Sequence, residues 1–384
     1  MQPNSISSPK FKVSRFNPHR EHLKTQIAHT SLLTLKPRAS LPKIQKNTSQ
    51  ISQRSEIPLL KMQSMGSPVN QNYLLEMEKV YCVWHSETGI VGGEQKKHNQ
   101  DAIIVQNLNN YQLFVVCDGH GSSGHLVSNY VLNTLIQQIE QGMQRNQYML
   151  QYNTQLHKTV IKGAFAKTSS LLEQSSLPII RSGCTCNMVM LLQQNIVPAD
   201  LGDFQQEFQK ESVVYCANVG DSRAMMVSKG VRGGLITNQL SMDHRLDVVE
   251  ERNRIKQKGG TIAQLQHNGQ SVGPFRVWLD EMQGSGLAMS RSFGDTQMRS
   301  VGVTSEPTIY ESKVRQQDLF MVIASDGVWE YMTNQQVAKL VYEKYEQQDQ
   351  AAQYLIQQAQ QQWKENDVVV DDISCIVVFF NQSL

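Results

Sequence analysis

The sequence predicts an α+β sandwich in which two mainly antiparallel β-sheets are covered by helices. Two observations carry this. Short runs of β-branched, aromatic and aliphatic residues, bounded by turn chemistry, recur eight times after residue 78. Their order along the chain is strands in tandem, then helical stretches, then strands again.

Strands are expected at 79–85, 101–106, 111–117, 184–193, 212–218, 222–228, 318–324 and 373–380. Helices are expected at 122–142, 155–174, 245–258, 334–346 and 350–364. In the last of these Tyr354, Leu355, Ala359 and Trp363 fall on one face, the spacing a surface helix needs to cover a core. The polar stretch 194–211 separates two strands and reads as a hairpin loop.

Upstream, residues 1–78 are rich in Ser, Gln, Asn, Lys and Pro and show little periodicity, which predicts a disordered basic leader before one domain at 79–384. Residues 1–70 hold eleven Lys or Arg against two acids, a charge of +9 in a chain whose net charge is +2, so the remainder carries −7. Such a leader reads as a disordered tail, an organelle transit peptide or an arm for an acidic partner. Pro18, Pro37 and Pro42 argue against a long targeting helix.

Several classes are disfavoured. No apolar run is long enough for a transmembrane segment, and the first twenty residues lack the apolar stretch of a secretory signal. Cys82, Cys117, Cys184, Cys186, Cys216 and Cys375 form no CxxC pair and have no zinc-finger spacing. Most sit inside apolar runs, as small buried hydrophobes in a reducing compartment do. The acidic domain lacks nucleic-acid-binding motifs, so no nucleic acid is expected as partner.

The chemistry lies in acids placed where apolar strands begin or end. YQLFVVC ends in Asp118 of DGHG, and DLFMVIAS ends in Asp326 of DGVW. Asp371 and Asp372 precede ISCIVVFF, Asp221 lies between two strands in NVGDSRA, and Asp101 opens DAIIV. Carboxylates gathered without cations repel and are costly to desolvate, and a divalent cation relieves both costs. All-oxygen ligands select hard ions, Mg²⁺ or Mn²⁺, over zinc. His120 beside Asp118 reads either as a hydrogen-bonding turn residue or as an acid at a phosphoester site.

Nine motifs then stand in order over about 79–380: KKHNQDAIIV, VVCDGHGSSGH, RSGCTCNMVM, YCANVGDSRAMM, SMDHR, RVWL, GLAMSRSFGD, VIASDGVWE and DDISCIVVFF. With them the chain resembles the PPM family (type 2C) of metal-dependent serine/threonine protein phosphatases, and most closely its plant- and protist-type branch. The resemblance implies a four-layer αββα sandwich with two Mg²⁺ or Mn²⁺ ions per active site. It implies that Asp118 bridges both ions, with the Gly119 carbonyl as a further ligand, and that Asp326 and Asp371 complete one of them. Asp101 would sit beside the other through bound water, and Asp221 would join Asp326 at a weaker third. His120 would be the general acid, and Lys96 with Lys97 would meet the phosphate.

The chain departs from the common family pattern at three points. Gln100 stands where many members carry Glu, Lys96 replaces the phosphate-binding Arg, and Asp372 follows Asp371 where Asn is common. Lys lacks the bidentate fork of Arg and acts as a point charge. The implied substrates are phosphorylated proteins, for a monomer in the cytoplasm or nucleus, with organelle targeting by the leader left open. The alternative is a catalytically silent scaffold that keeps the fold and binds phosphoproteins. Loop 281–305, with its Gly and Ser residues, is the expected place for substrate specificity.

Overall fold

A computed structural model describes residues 72–75, 80–108, 111–150, 154–196, 209–267, 269–279 and 286–380. The principal strands in chain order are β1 (Asn72–Leu75), β2 (Val80–Glu87), β3 (Ala102–Leu108), β4 (Tyr111–Cys117), β5 (Cys186–Ile196) and β6 (Gln209–Val219). They continue as β7 (Arg223–Lys229), β8 (Leu235–Gln239), β9 (Thr308–Lys313), β10 (Asp318–Ala324) and β11 (Ile373–Phe380). The main helices are α1 (Gly124–Arg145), α2 (Thr154–Glu173), α3 (Val249–Gln257), α4 (Asn334–Glu343) and α5 (Ala351–Asn366).

One sheet has the order β1-β2-β11-β10-β7-β8 and the other β9-β6-β5-β4-β3, with every neighbouring pair antiparallel. The two sheets stack and helices cover their outer faces. The three apolar layers between them show this directly. Phe114, Val189, Val214, Met321, Ile376 and Val378 fill the space between the sheets. Leu113, Val115, Met188 and Tyr215 meet Val131, Leu135 and Phe165 of α1 and α2. Phe320, Val322, Val377 and Phe379 meet Val337, Val341, Leu355 and Trp363 of α4 and α5. The expected αββα sandwich is present.

Burial on both faces explains why the central strands are continuously apolar. Along β11, Cys375, Val377 and Phe379 face the helices while Ile376, Val378 and Phe380 face the other sheet. Each such side chain, fully buried, contributes roughly 1.5–3 kcal/mol. Helix α4 starts where the sequence dictates. Thr333 accepts from the Gln336 N–H, and the Gln336 side chain accepts from the Thr333 N–H at 2.9 Å, closing a capping box.

Strands 111–117, 318–324 and 373–380 match the sequence expectation residue for residue. The expected strand 184–193 is instead broken. Gly183–Cys184 belongs to a small sheet, and β5 starts at Cys186. The hairpin β5–β6 is present, but its strands reach into the polar stretch, pairing Ile196 with Gln209; residues 197–208 lie outside the described residues. Edge strands β8 and β9 and the ribbon Thr261–His267/Gln270–Trp278 were not expected. Their half-exposed residues lack a strong apolar run. The ribbon and α3 pack over Leu246, Ile255, Val277 and Val301, a core separate from the three layers.

Strand β1 lies inside the segment assigned to the leader, and it pairs with β2 from Asn72↔Val83 to Leu75↔Val80. The rest of the expected leader, residues 1–71 and 76–79, lies outside the described residues. Among the described residues no helix is long and apolar enough to cross a membrane. The six cysteines are free and buried, as their apolar surroundings predict.

Candidate active site

In antiparallel sheets the end of one strand lies beside the start of the next, and this brings the scattered acids to one edge. In the first sheet Ala324, at the end of β10, is level with Cys375 near the start of β11 and with Arg223 at the start of β7. In the second, Cys117 at the end of β4 is level with Ala102 at the start of β3. Asp326, Asp371, Asp221, Asp118 and Asp101 therefore leave the sandwich at the same rim.

Backbone contacts fix the rim. Thr185 holds Asp118 from both sides: its N–H donates to the Asp118 carbonyl at 2.8 Å and its Oγ1 accepts from the Asp118 N–H at 3.0 Å. Thr185 Oγ1 also meets Ser222 Oγ at 2.6 Å, tying in the residue after Asp221. Gly119 must be glycine, since a Cβ there would lie 2.5 Å from the Gly124 carbonyl oxygen and 2.6 Å from that of Gln100. Gln100 donates through Nε2 to the Gly121 carbonyl at 2.7 Å, stitching the entry of β3 to the DGHG turn.

The carboxyls carry unmet charge. Burial pushes the Asp118 and Asp326 pKa values well above the carboxylate range, and the neighbouring acids add to this: Asp326, Asp101 and Asp371 around Asp118, and Asp221 and Asp371 around Asp326. Burial also raises Asp101 to about 7, with Asp372 adding to the effect. Asp221 rises to about 6 through burial, while Arg245 pulls the other way. Ser325 Oγ donates to Asp101 Oδ2 at 2.8 Å, yet Oδ1 of Asp101, of Asp221 and of Asp326 is buried without a hydrogen-bond partner.

Asp371 and Asp372 do different work. Asp372 is buried and fully engaged: Oδ1 accepts from Gly89 N–H at 2.7 Å and Oδ2 from Gln100 N–H at 3.0 Å. It locks the entry of β3 against the start of β11. Asp371 is 43% exposed and turns toward the other acids. Its Oδ1 meets Lys96 Nζ at 2.5 Å, and the same ammonium lies 3.4 Å from Asp372 Oδ2. Lys96 is therefore already paired with acids of the rim, whereas Lys97 is exposed.

His120 has a partner that the sequence did not reveal. Its Nε2 lies 2.6 Å from Oδ2 of Asp295, which is only 4% exposed. Burial disfavours the charged ring, but the Asp295 carboxylate and its hydrogen bond outweigh this, and the His120 pKa is raised. His120 Nδ1 is buried and has no hydrogen-bond partner. Asp295 lies in the GLAMSRSFGD motif, but nothing in that string marks it as the partner of a histidine 175 residues away. His244 is structural, as neutral imidazole: Nδ1 accepts from Gly220 N–H at 3.1 Å, and burial lowers its pKa to about 3. Of the expected specificity loop, residues 286–305 are described, and they supply Asp295 to the site.

Among the described residues no three His, Cys, Asp or Glu side chains stand close enough to chelate an ion as they are. The rim nonetheless fits hard cations. Its donors are all oxygen, three buried carboxylate oxygens lack partners, and the acids raise one another's pKa values. Stability should follow from this. Asp101 and Asp221 have folded-state pKa values raised above 3.8, so their stabilising contribution is complete below that value and is lost as pH rises through about 6 and about 7. In EDTA the melting temperature should therefore fall between about pH 4 and about pH 7, on the order of 5 °C, and Mn²⁺ should remove most of that fall. A melting temperature in EDTA that is flat over this interval would show that the acids are not in conflict.

Comparison with known proteins places the chain among the serine/threonine protein phosphatases. It belongs to the protein phosphatase 2C family, whose model matches residues 84–368. It is 30% identical over 299 residues to "Probable protein phosphatase 2C 34" of Arabidopsis thaliana, covering 75% of this chain and 79% of that one. It is 30% identical over 312 residues to "Probable protein phosphatase 2C 48" of Oryza sativa subsp. japonica, covering 75% and 81%. Among solved structures, the serine-threonine phosphatase 2C from Toxoplasma gondii superposes with a TM-score of 0.64 at 21% identity, over 82% of this chain and 99% of that one. A C. elegans sex determining protein superposes with a TM-score of 0.58 at 16% identity, over 79% and 65%. The family is metal-dependent and acts on phosphoproteins.

Proposed function

We propose that this chain hydrolyses phosphoserine and phosphothreonine in proteins at the rim formed by Asp118, Asp326, Asp371, Asp101 and Asp221. The observation that carries the reading is the set of buried, partnerless carboxylate oxygens on Asp101, Asp221 and Asp326 beside the strongly perturbed Asp118. Asp118 and the Gly119 carbonyl would hold Mg²⁺ or Mn²⁺, two ions to the site. Asp326, Asp371 and Asp101 would help to hold these ions, and Asp221 with Asp326 would offer a weaker third position. When bound, such ions activate water as a nucleophile and neutralise phosphoryl charge.

The chain's own groups do the rest. Lys96 uses two contacts to hold Asp371 and Asp372, and an ammonium has three donors, so one remains for a phosphate oxygen. Lys97 adds exposed positive charge next to it. His120 donates a proton from Nδ1 to the departing serine or threonine oxygen, which is too basic to leave unassisted. No cysteine nucleophile is involved, since all six thiols are buried in the core.

The test is phosphate release by the purified full chain from a phosphoserine peptide and from p-nitrophenyl phosphate. Release should need Mn²⁺ or Mg²⁺, vanish in EDTA and return on re-addition of Mn²⁺. Turnover persisting in excess chelator, in protein shown to be metal-free, would sink the reading. Phosphopeptide binding without turnover in Mn²⁺ would establish the silent scaffold instead.

A further inference from the structure

Residues Gly119–His120, Gly183–Cys184 and Phe293–Gly294 form a three-stranded clip with Gly183–Cys184 in the middle. The register sets His120 level with Gly183, and Gly183 level with Gly294. Asp295 follows at once, in the left-handed region at φ 45°, the only non-glycine residue with positive φ among the described residues. Asp and Asn tolerate that region better than other side chains. The turn brings the carboxylate back across the clip, over Gly183, to reach the His120 ring. Gly183 leaves the space for it, because a Cβ there would collide with Asp295 Oδ2.

We infer that Asp295 is the positioning residue of the reaction: it anchors His120 through Nε2 and so leaves Nδ1 as the only ring nitrogen able to pass a proton to the leaving oxygen. The carboxylate is itself held in place. Ser292 Oγ donates to Oδ2 at 2.7 Å, and the Asp295 N–H donates to the Ser182 carbonyl at 3.1 Å. A second observation points the same way: His120 Nδ1 is buried and has no hydrogen-bond partner in the protein, which leaves it for a group from outside the chain. A carboxylate that fixes one nitrogen of an imidazole sets both the ring's orientation and its tautomer, and stabilises the ring when it carries the proton. Asp295 thus acts through His120 without touching the reacting atoms.

The inference rests on His120 being the acid, and the experiment separates the two ideas. Wild type, Asp295→Asn, His120→Ala and the double variant are compared on a phosphoserine peptide and on p-nitrophenyl phosphate, with Mn²⁺ affinity measured directly by titration calorimetry. Asn keeps the volume and the left-handed tolerance but removes the charge. Asp295→Asn should lower kcat on the peptide by about 10–100-fold, part of the usual scale of acid catalysis, and p-nitrophenyl phosphate turnover by less than about 3-fold. KM and Mn²⁺ affinity should hold, and the double variant should be no slower than His120→Ala alone. Ser292→Ala, which only loosens the carboxylate, should give the same substrate pattern at about 3–10-fold, and it serves if Asp295→Asn misfolds.

Equal losses on both substrates, losses additive with those of His120→Ala, or a changed Mn²⁺ affinity would overturn the assignment and make Asp295 a support of the fold or of the ion site. If His120→Ala itself fails to distinguish the two substrates, the acid falls first and Asp295 loses its role with it. If His120→Ala distinguishes them and neither Asp295→Asn nor Ser292→Ala does, only the positioning role is lost.

Discussion

Asp118→Asn is expected to lower kcat/KM by about 10³-fold or more, on the order of 4 kcal/mol of transition-state stabilisation, because ion clamping carries much of such catalysis. Asp326, Asp101 and Asp371 all raise the pKa of Asp118. An amide there removes a charge that would hold the cations, so affinity should fall and a large excess of Mn²⁺ should recover part of the rate. The effect on the metal-free protein has the opposite sign. Removing one of several repelling, buried carboxylates relieves the conflict, and in EDTA the variant should melt above wild type. Lost activity with raised metal-free stability is a signature that simple damage to the fold does not produce. Full turnover in the variant, or a lower melting temperature in EDTA, would remove Asp118 from the centre of the site.

The residues that the sequence made legible share a property. Asp118, Asp326 and Asp371 each adjoin a strand buried on both faces, so a long apolar run points at each of them. The edge strands β8 and β9 face solvent on one side and have no such run. Asp295 was invisible for a different reason. Its link to His120 is made by three strands of two residues each, too short for any periodicity, and by one residue of unusual backbone conformation. The difference between Asp371 and Asp372 was equally beyond the pattern. It depends on which carboxyl meets the Gly89 and Gln100 amides, a matter of packing between β11 and the entry of β3.

Lys96 shows how a substitution is read differently once its neighbours are known. As a lone residue of KKHNQD it offers a point charge to phosphate. In the fold it sits between Asp371 and Asp372, and these acids outweigh its burial and raise its pKa. Its charge therefore balances the acids of the rim, beside the role toward phosphate proposed above. An Arg would offer phosphate a bidentate fork but could not place so compact a charge between two carboxylates.

His120→Ala should cost a phosphoserine peptide about 10²–10⁴-fold in kcat, the usual scale of general acid catalysis. The same change should cost p-nitrophenyl phosphate far less. Serine alkoxide is a very poor leaving group and needs the proton, whereas p-nitrophenolate leaves readily without one. The comparison is valid where chemistry limits both rates, which a leaving-group series of aryl phosphates checks: the variant should depend more steeply on leaving-group basicity than wild type. Mn²⁺ affinity should survive, because the ring is held by Asp295 through Nε2 and its Nδ1 has no hydrogen-bond partner in the protein. Loss of Mn²⁺ binding in the variant would make His120 a ligand or a support of the Asp118–Gly121 turn. Equal losses across the leaving-group series, with Mn²⁺ affinity intact, would exclude it as the acid and leave the proton to come from solvent.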